Sequence, residues 1–215
     1  TEEWVAAWQR GAEQVEEAEL QQVWARLLCD EILEPGSYSR RTLEALRTLG
    51  REEARTFSKI APRVIARGLL KVDGPPAPLT DVQMEGVTVE DLLTLHQAGL
   101  IVGSSVMHAR SFTSQPTADG KHAMLLATCS DLRLVLFFNA PTVIRLGEIP
   151  LTRVGVDLLR LGQFKPDEQF AKSVALAAAR ETREALEAAF LCRLIPAPPH
   201  GYQSVPVTEI YQRNP

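Results

Sequence analysis

A proline-rich segment at residues 73–80 limits the possible folds of this chain more than any other feature. It holds three prolines and one glycine, and such clusters interrupt helices and strands. The residues before it have helical periodicity, whereas the residues after it include several runs of β-forming side chains. We therefore predict a helical region at residues 1–72, a linker at 73–80, and an α+β region at 81–215 that contains a C-terminal helix and an extended tail.

Apolar side chains in the first region recur every three or four positions, which predicts helices. The first apolar stripe ends at Pro35-Gly36, because proline disfavours helix at the preceding residue and glycine releases the backbone. Ser39 is a suitable N-cap for a second helix, and Gly50 is its predicted end. A third helix is expected over residues 52–67, with a kink or an early restart at Pro62.

The second region combines helices with a small sheet. Thr88 caps a short helix that ends at Gly99, and Thr152 caps another. Runs of β-forming residues between these helices predict strands at 122–128, 132–138 and 142–149. An amphipathic helix is expected at residues 167–195, and the tail from Pro196 should be extended and end in a short strand at Val205–Ile210. The predicted fold class is α+β and mostly helical, with an N-terminal helical bundle followed by a domain with a small antiparallel β-sheet.

Charge is unevenly spread along the chain. The formal net charge of −4 gives the chain as a whole no electrostatic attraction for nucleic acid or an anionic membrane. However, residues 1–34 carry nine acids and two bases, whereas residues 35–70 carry eight bases and three acids. These two segments could pair with each other, or the arginines could bind phosphate through bidentate hydrogen bonds. The candidate nucleic-acid residues are Arg40, Arg41, Arg47, Arg51 and Arg55.

No motif for catalysis, cofactor binding or metal binding is recognisable. The sequence contains no GxxxxGK[ST] phosphate loop, no GxGxxG fingerprint and no GxSxG nucleophile elbow. The four histidines lack the i, i+4 spacing of a helical metal pair, and the three cysteines form no CxxC pair. Scattered cysteines are typical core filler in a reducing cytosol. We therefore predict a cytoplasmic protein with no cofactor, no metal and no catalytic residue.

An unusual corner motif lies between the first two predicted helices. A tryptophan and a glutamate precede a Pro-Gly-Ser-x-Ser run, and a Leu-Thr-x-x-Gly motif follows in the second region. The motif residues are Trp24, Glu31, Pro35, Gly36, Ser37, Ser39, Thr152 and Gly155. Together they resemble an uncharacterised bacterial family catalogued as domain of unknown function 2806, over about residues 20–160. The resemblance implies bacterial and phage-related genes, but no known activity.

The corner has two interpretations. As a helical-hairpin corner, Pro35-Gly36 turns the chain and a serine caps the next helix. Glu31 would then accept hydrogen bonds from backbone donors or pair with Arg40 or Arg41. The alternative is a ligand-binding corner.

The second region also resembles a winged-helix variant, because a leucine-rich helix closing on Gly99-Leu100-Ile101 is followed by a hairpin and the Leu-Thr-x-x-Gly helix. Such folds bind nucleic acid or protein, and fold alone does not decide between them. We expect a non-catalytic protein-interaction or oligomerisation module, phage- or defence-related, whose partner is a second copy or another protein. The alternative is a nucleic-acid-binding winged-helix regulator.

The first residue is threonine, so we expect a processed start or a segment of a longer protein. No run of about 18 uncharged apolar residues occurs, so no membrane-spanning helix is expected in this segment.

Overall fold

The computed structural model describes six stretches of the chain: 2–13, 18–72, 86–103, 108–182, 185–197 and 201–213. Within them the fold is mixed α+β, with α-helices and two antiparallel sheets. The coarse fold class predicted from the sequence is therefore confirmed. The predicted linker at 73–80 lies outside the described residues, so the division into two regions stays a prediction.

The helices described are α1 (Glu2–Ala12), α2 (Ala18–Leu33), α3 (Arg40–Thr48), α4 (Arg51–Ile60), α5 (Val89–Gln97), α6 (Arg153–Leu161) and α7 (Glu168–Glu181). The first apolar stripe is thus shared by two helices, α1 and α2. Trp4 and Trp24 bury their indole rings from these helices, and each is less than 5% exposed. Burial of such large side chains orients α1 and α2 on the core.

The strands described are β1 (Val64–Ile65), β2 (Gly68–Lys71), β3 (His108–Thr113), β4 (Gln115–Pro116), β5 (His122–Ala127), β6 (Leu132–Phe138), β7 (Val143–Pro150), β8 (Leu186–Ala197) and β9 (Gly201–Gln212). A four-stranded sheet has the order β1-β2-β7-β3, and a five-stranded sheet has the order β4-β5-β6-β8-β9. The three strands predicted between the helices are β5, β6 and β7. The other strands of both sheets pair with them antiparallel or extend those pairings.

Side-chain caps begin three helices where the sequence predicts them. Ser39 Oγ accepts a backbone N–H from the first turn of α3 at 3.2 Å. Thr88 and Asp91 form a reciprocal capping box at the start of α5, with N–H to oxygen distances of 2.8 and 3.1 Å. Thr152 Oγ1 accepts the N–H of Gly155 at 3.1 Å and so caps α6. These caps depend on short-range geometry, which is why local sequence reveals them.

Two helix ends differ from the prediction. α3 ends at Thr48, and Gly50 begins α4 instead, with its N–H donating to Glu53 Oε2 at 2.6 Å. The third helix does not reach residue 67, because α4 ends at Ile60 and a 3₁₀ turn at Ala61–Arg63 leads into β1. Pro62 within that turn has no N–H to continue the helical ladder, and its ring clashes with the preceding turn. The proline thus ends the helix rather than kinking it.

The predicted helix over residues 167–195 is wrong in its second half. α7 ends at Glu181, and the remaining apolar residues form β8 between β6 and β9. Leu186, Ala189 and Leu191 of β8 are almost completely buried. A short apolar run fits a buried strand as well as a buried helix, and the two flanking strands decide the outcome here.

One connected set of buried apolar side chains joins the helices to the sheets. It extends from Trp4 in α1 to Ile210 in β9 and includes Leu27, Leu69 and Phe138. The α2–α3 corner, the α6 helix and the five-stranded sheet are therefore held against a common core. This arrangement sets the positions of the surfaces described next.

Candidate functional site

The predicted corner between α2 and α3 is built around the carboxylate of Glu31, which is only 8% exposed. Its Oε1 accepts the N–H of Gly36 at 2.7 Å, and its Oε2 accepts the N–H of Tyr38 at 3.1 Å. Gly36 has a φ of +89°, a conformation that other residues adopt only with strain. Glu31 therefore accepts from backbone donors, one of its two predicted roles, and forms no ion pair with Arg40 or Arg41 in the described part of the chain.

The other corner residues also contact the chain itself. Ser37 Oγ donates to the Glu34 carbonyl at 2.7 Å, which closes the turn around the exposed Pro35. The Trp24 carbonyl accepts the indole N–H of Trp8 at 2.9 Å. A side chain at Gly11 of α1 would overlap the Trp24 ring, so these helices pack closely. The contacts are those of a helical-hairpin corner.

This corner is docked against α6, the helix of the Leu-Thr-x-x-Gly motif. Arg153 donates to the Ser37 carbonyl at 2.7 Å and to Asp157 Oδ1 at 2.9 Å. Asp157 Oδ2 accepts from the Thr42 hydroxyl at 2.7 Å, and the Asp157 residue is 1% exposed. A side chain at Gly155 would overlap the Leu100 carbonyl oxygen, so only glycine permits this approach. The two halves of the sequence motif therefore meet in one polar network.

Tyr38 completes the corner from the core side. Its hydroxyl donates to Asp30 Oδ2 at 2.6 Å, and the Arg160 guanidinium lies 5.3 Å from its ring centroid. Burial raises the pKa of Tyr38 far above its usual value, and the hydrogen bond to Asp30 and the Asp30 charge act in the same direction. The phenol is therefore neutral and acts as a hydrogen-bond donor.

The five candidate arginines are exposed, but they belong to two separate helices. Arg40 forms an ion pair with Glu3 of α1, so the predicted pairing of acidic and basic segments is realised within the chain at this pair. Arg47 pairs with Glu44 on its own helix at 3.1 Å. The break at Gly50 prevents Arg51 and Arg55 from continuing the α3 row. Nucleic-acid binding by these side chains stays a prediction.

Thiol chemistry is confined to one exposed residue. Burial raises the pKa of Cys129 to about 11 and also raises the pKa of Cys192. Cys29 is exposed, which differs from the predicted role of the cysteines as core filler. In the part of the chain that the structure describes, no group of three or more His, Cys, Asp or Glu residues lies close enough to hold a metal ion.

The β8–β9 hairpin forms a further exposed feature, which sequence reasoning missed. We use the term β8–β9 arm for residues 194–197 and 201–208, the distal part of the hairpin. Tyr202 and Val207 are 73% and 55% exposed, and Ile195 and Val205 are each 39% exposed. No Asp, Glu, Lys or Arg occurs between Arg193 and Glu209. That charge-free interval is visible in the sequence, but its prolines favour an extended tail with only a short strand at its end.

Comparisons with known proteins identify one family. The model of the family described as Protein of unknown function (DUF2806) matches residues 1–68. Neither the curated proteins nor the solved structures include a match to the chain. Among the described helices, none is long and apolar enough to cross a membrane. The matched segment contains α1 to α4 and the complete α2–α3 corner, and this part of the chain is therefore similar to the DUF2806 family of unknown function.

Proposed function

We propose that this chain is a non-catalytic protein-interaction module that self-associates through the β8–β9 arm. The observation that carries the proposal is the combination of exposed apolar side chains, led by Tyr202 and Val207, with the absence of charge between Arg193 and Glu209. A concentration of exposed apolar side chains on one element of a folded protein is characteristic of interaction sites. The absence of charge favours a protein surface over the phosphates of nucleic acid.

The sheet order adds a geometric reason. β9 is the outermost strand of the five-stranded sheet, so its outer backbone groups have no strand partner among the described residues. Such an edge is a template for pairing with another strand. A second copy offers the same edge, and antiparallel pairing about a two-fold axis is self-complementary. Pro206 lacks an N–H, so it can supply no donor in that ladder.

Sedimentation velocity over a concentration series tests this proposal. We expect a monomer–dimer equilibrium for the 215-residue chain and a monomer for the Val205→Lys/Val207→Lys variant. Leu93→Lys is the matched control, because Leu93 is 51% exposed on α5, outside the arm. A chain that stays monomeric at every concentration contradicts self-association, whereas a variant that still dimerises contradicts the role of the arm. Circular dichroism and the milder Tyr202→Ser variant check that the added lysines leave the fold intact.

A second candidate is a nucleic-acid-binding winged-helix regulator. The antiparallel order β2-β7-β3, with α5 between β2 and β3 in the chain, supports a winged-helix arrangement of this region. However, α5 carries Glu90 and Asp91 and neither lysine nor arginine, so its charge opposes phosphate contact. This charge pattern makes protein binding the better-supported function of the same region.

Fluorescence anisotropy with labelled duplex DNA and duplex RNA tests the second candidate. Phosphate contacts would make the affinity fall steeply with salt concentration. Arg40→Gln/Arg41→Gln/Arg47→Gln should then weaken binding and reduce the salt slope, whereas Arg145→Gln on β7 should not. Binding that is absent at low salt, or unchanged in the triple variant, contradicts the candidate.

The cellular setting is also a proposal. The resemblance to a family found in phage-related genes supports a module of a phage- or defence-related bacterial protein. Two buried thiols and one exposed thiol, none in a disulfide, support a reducing cytoplasm. Reconstruction of the parent gene and its neighbours tests both statements, because a defence locus would contain a nuclease, protease or membrane partner nearby.

A further inference from the structure

A cleft of about 940 Å³ opens between three connections, next to the β8–β9 arm. Its walls are the β1–β2 turn at Arg67, the β5–β6 turn at residues 128–133, and the connection from α6 to α7 at residues 162–166. The hairpin contributes Leu191 and Arg193 from β8, and Val207 and Thr208 from β9. Sites for small molecules have volumes of roughly 300–1,000 Å³. The cleft is therefore large enough for a nucleotide-sized molecule.

Positive charge dominates the cleft. Five bases and three acids line it; the bases are Arg67, Arg133, Arg160, Lys165 and Arg193. Only Arg193 has a carboxylate partner in the described part of the chain, Asp131 at 3.4 Å. The acids are Asp30, Asp131 and Glu168, so the lining has two more bases than acids. The cleft thus has an excess of positive charge, which attracts an anion.

Two of these cations have no polar side-chain contact at all within the described residues. Arg67 and Lys165 are exposed, and neither side chain forms a hydrogen bond or an ion pair there. By contrast, Arg133 donates hydrogen bonds to nearby carbonyls, and the shortest of these bonds is to Leu132 O at 3.0 Å. The Arg160 guanidinium lies over the Tyr38 ring. Arg67 and Lys165 are therefore the groups best able to bind a phosphate.

The backbone holds Arg67 in an unusual conformation at the cleft. Ala66 and Arg67 have φ values of +56° and +67°, the region that two-residue type I′ hairpin turns require and that glycine or asparagine normally fills. The Ala66 N–H donates to Ala127 O at 2.7 Å, and Arg67 O accepts the Leu151 N–H at 3.0 Å. Residues kept in such conformations cluster at ligand sites. The turn thus fixes the base of the Arg67 side chain beside the opening.

Apolar groups form the other part of the lining. Leu159 and Phe164 face the cleft beside Lys165, and the Phe164 ring is braced edge-on by Phe57, with centroids 6.0 Å apart. The hydroxyls of Thr128 and Ser130 lie on the opposite turn. A wall of this kind suits a planar or aliphatic organic group, while the cations suit a phosphate.

We infer that this cleft binds a small organic phosphate of nucleotide size. The phosphate lies between Arg67 and Lys165, and the organic part lies against Leu159 and Phe164. The cleft shares Val207 and Thr208 with the β8–β9 arm, but Arg67 and Lys165 lie outside the arm, so a variant of these two cations tests the cleft without altering the arm.

Isothermal titration calorimetry of the full 215-residue chain tests the inference. The probes are adenosine triphosphate, inorganic pyrophosphate and adenosine, at low salt. We expect adenosine triphosphate to bind at least tenfold more tightly than pyrophosphate, and adenosine not to bind, because both parts of the cleft contribute. Arg67→Gln/Lys165→Gln should weaken adenosine triphosphate binding at least tenfold. Arg41→Gln/Arg55→Gln, which removes two exposed arginines on α3 and α4, should leave it unchanged.

Three results would overturn the inference. The first is no binding of adenosine triphosphate or pyrophosphate at low salt. The second is equal loss of binding in the cleft variant and the control variant, which indicates a nonspecific charge effect. The third is a labelled single-stranded oligonucleotide that binds more tightly than adenosine triphosphate and depends on the same two residues, which assigns the cleft to nucleic acid. Thermal melting and sedimentation of the cleft variant show whether its fold and oligomeric state match the parent chain.

Discussion

The carboxylate of Asp157, buried in α6, accepts a hydrogen bond at 2.7 Å from the hydroxyl of Thr42, which lies 115 positions earlier in α3. Arg153 donates to the other oxygen of the same carboxylate and to the α2–α3 corner. A buried carboxylate is tolerated only when such partners replace its water. The pair therefore joins the corner motif to the Leu-Thr-x-x-Gly helix.

Removal of the Thr42 hydroxyl should weaken this junction. Thr42→Val keeps the shape of the side chain but leaves Asp157 Oδ2 without that donor. We expect the free energy of unfolding to fall by about 1–3 kcal/mol, the usual loss for an unsatisfied buried group. Urea denaturation measures it, with Thr48→Val as the control, because the Thr48 hydroxyl is exposed on the same helix. Equal losses in the two variants would show that the Asp157 contact contributes nothing.

The Glu31 carboxylate should be essential to the corner. Glu31→Ala leaves the N–H groups of Gly36 and Tyr38 without their acceptor, so we expect the free energy of unfolding to fall by about 2–4 kcal/mol. Glu31→Gln keeps one acceptor oxygen and should lose less. Glu34→Ala serves as the control, since that side chain is exposed at the same turn. If chemical denaturation shows that Glu34→Ala loses as much free energy of unfolding as Glu31→Ala, this assignment is wrong.

The raised pKa of Tyr38 predicts a loss of stability in alkali. Because the folded state holds the phenol proton more tightly, its contribution is complete below the unfolded pKa of about 10 and is lost as the pH rises above it. Between about pH 9 and pH 11, we therefore expect the free energy of unfolding to fall more steeply in the parent chain than in Tyr38→Phe. Tyr202→Phe, at a residue 73% exposed, should follow the parent chain. Identical slopes in all three proteins would contradict the prediction.

The three cysteines should differ in reactivity. A thiol reagent such as 5,5′-dithiobis-(2-nitrobenzoic acid) attacks thiolates that it can reach. The native chain should therefore release one equivalent of chromophore rapidly from Cys29, while Cys129 and Cys192 should react only after denaturation. Cys29→Ser should abolish the fast phase. A fast phase that survives in this variant would mean that one of the buried thiols is accessible.

At the Ala66-Arg67 turn, a substitution that raises the stability of the fold should lower the affinity for the ligand. Arg67→Gly removes the strain of a positive φ, so we expect the free energy of unfolding to rise by about 1 kcal/mol. The same change should weaken adenosine triphosphate binding, because it deletes one of the two principal cations of the cleft. Arg145→Gly, in the strand β7, should instead destabilise the chain by about 0.5–1 kcal/mol. A destabilised Arg67→Gly variant would argue against strain at this turn.

Local sequence determined those parts of the protein whose physics is short-range. The caps at Ser39, Thr88 and Thr152 need only a hydroxyl three residues before a free N–H. The strands β5 and β6 are marked by β-forming runs with the Ser130-Asp131 turn between them. The corner motif also indicates the resemblance to the DUF2806 family, whose model matches residues 1–68.

Tertiary structure decided everything that depends on distant partners. Residues 186–195 are a strand because β6 and β9 flank them, although their apolar pattern also fits a helix. Asp157 tolerates burial because Thr42 reaches it from α3, and Arg67 and Lys165 share a cleft because separate connections converge there. None of these pairings leaves a periodic or spacing signal in the chain. Sequence reveals what a residue does with its near neighbours, and the fold alone selects which distant residues become neighbours.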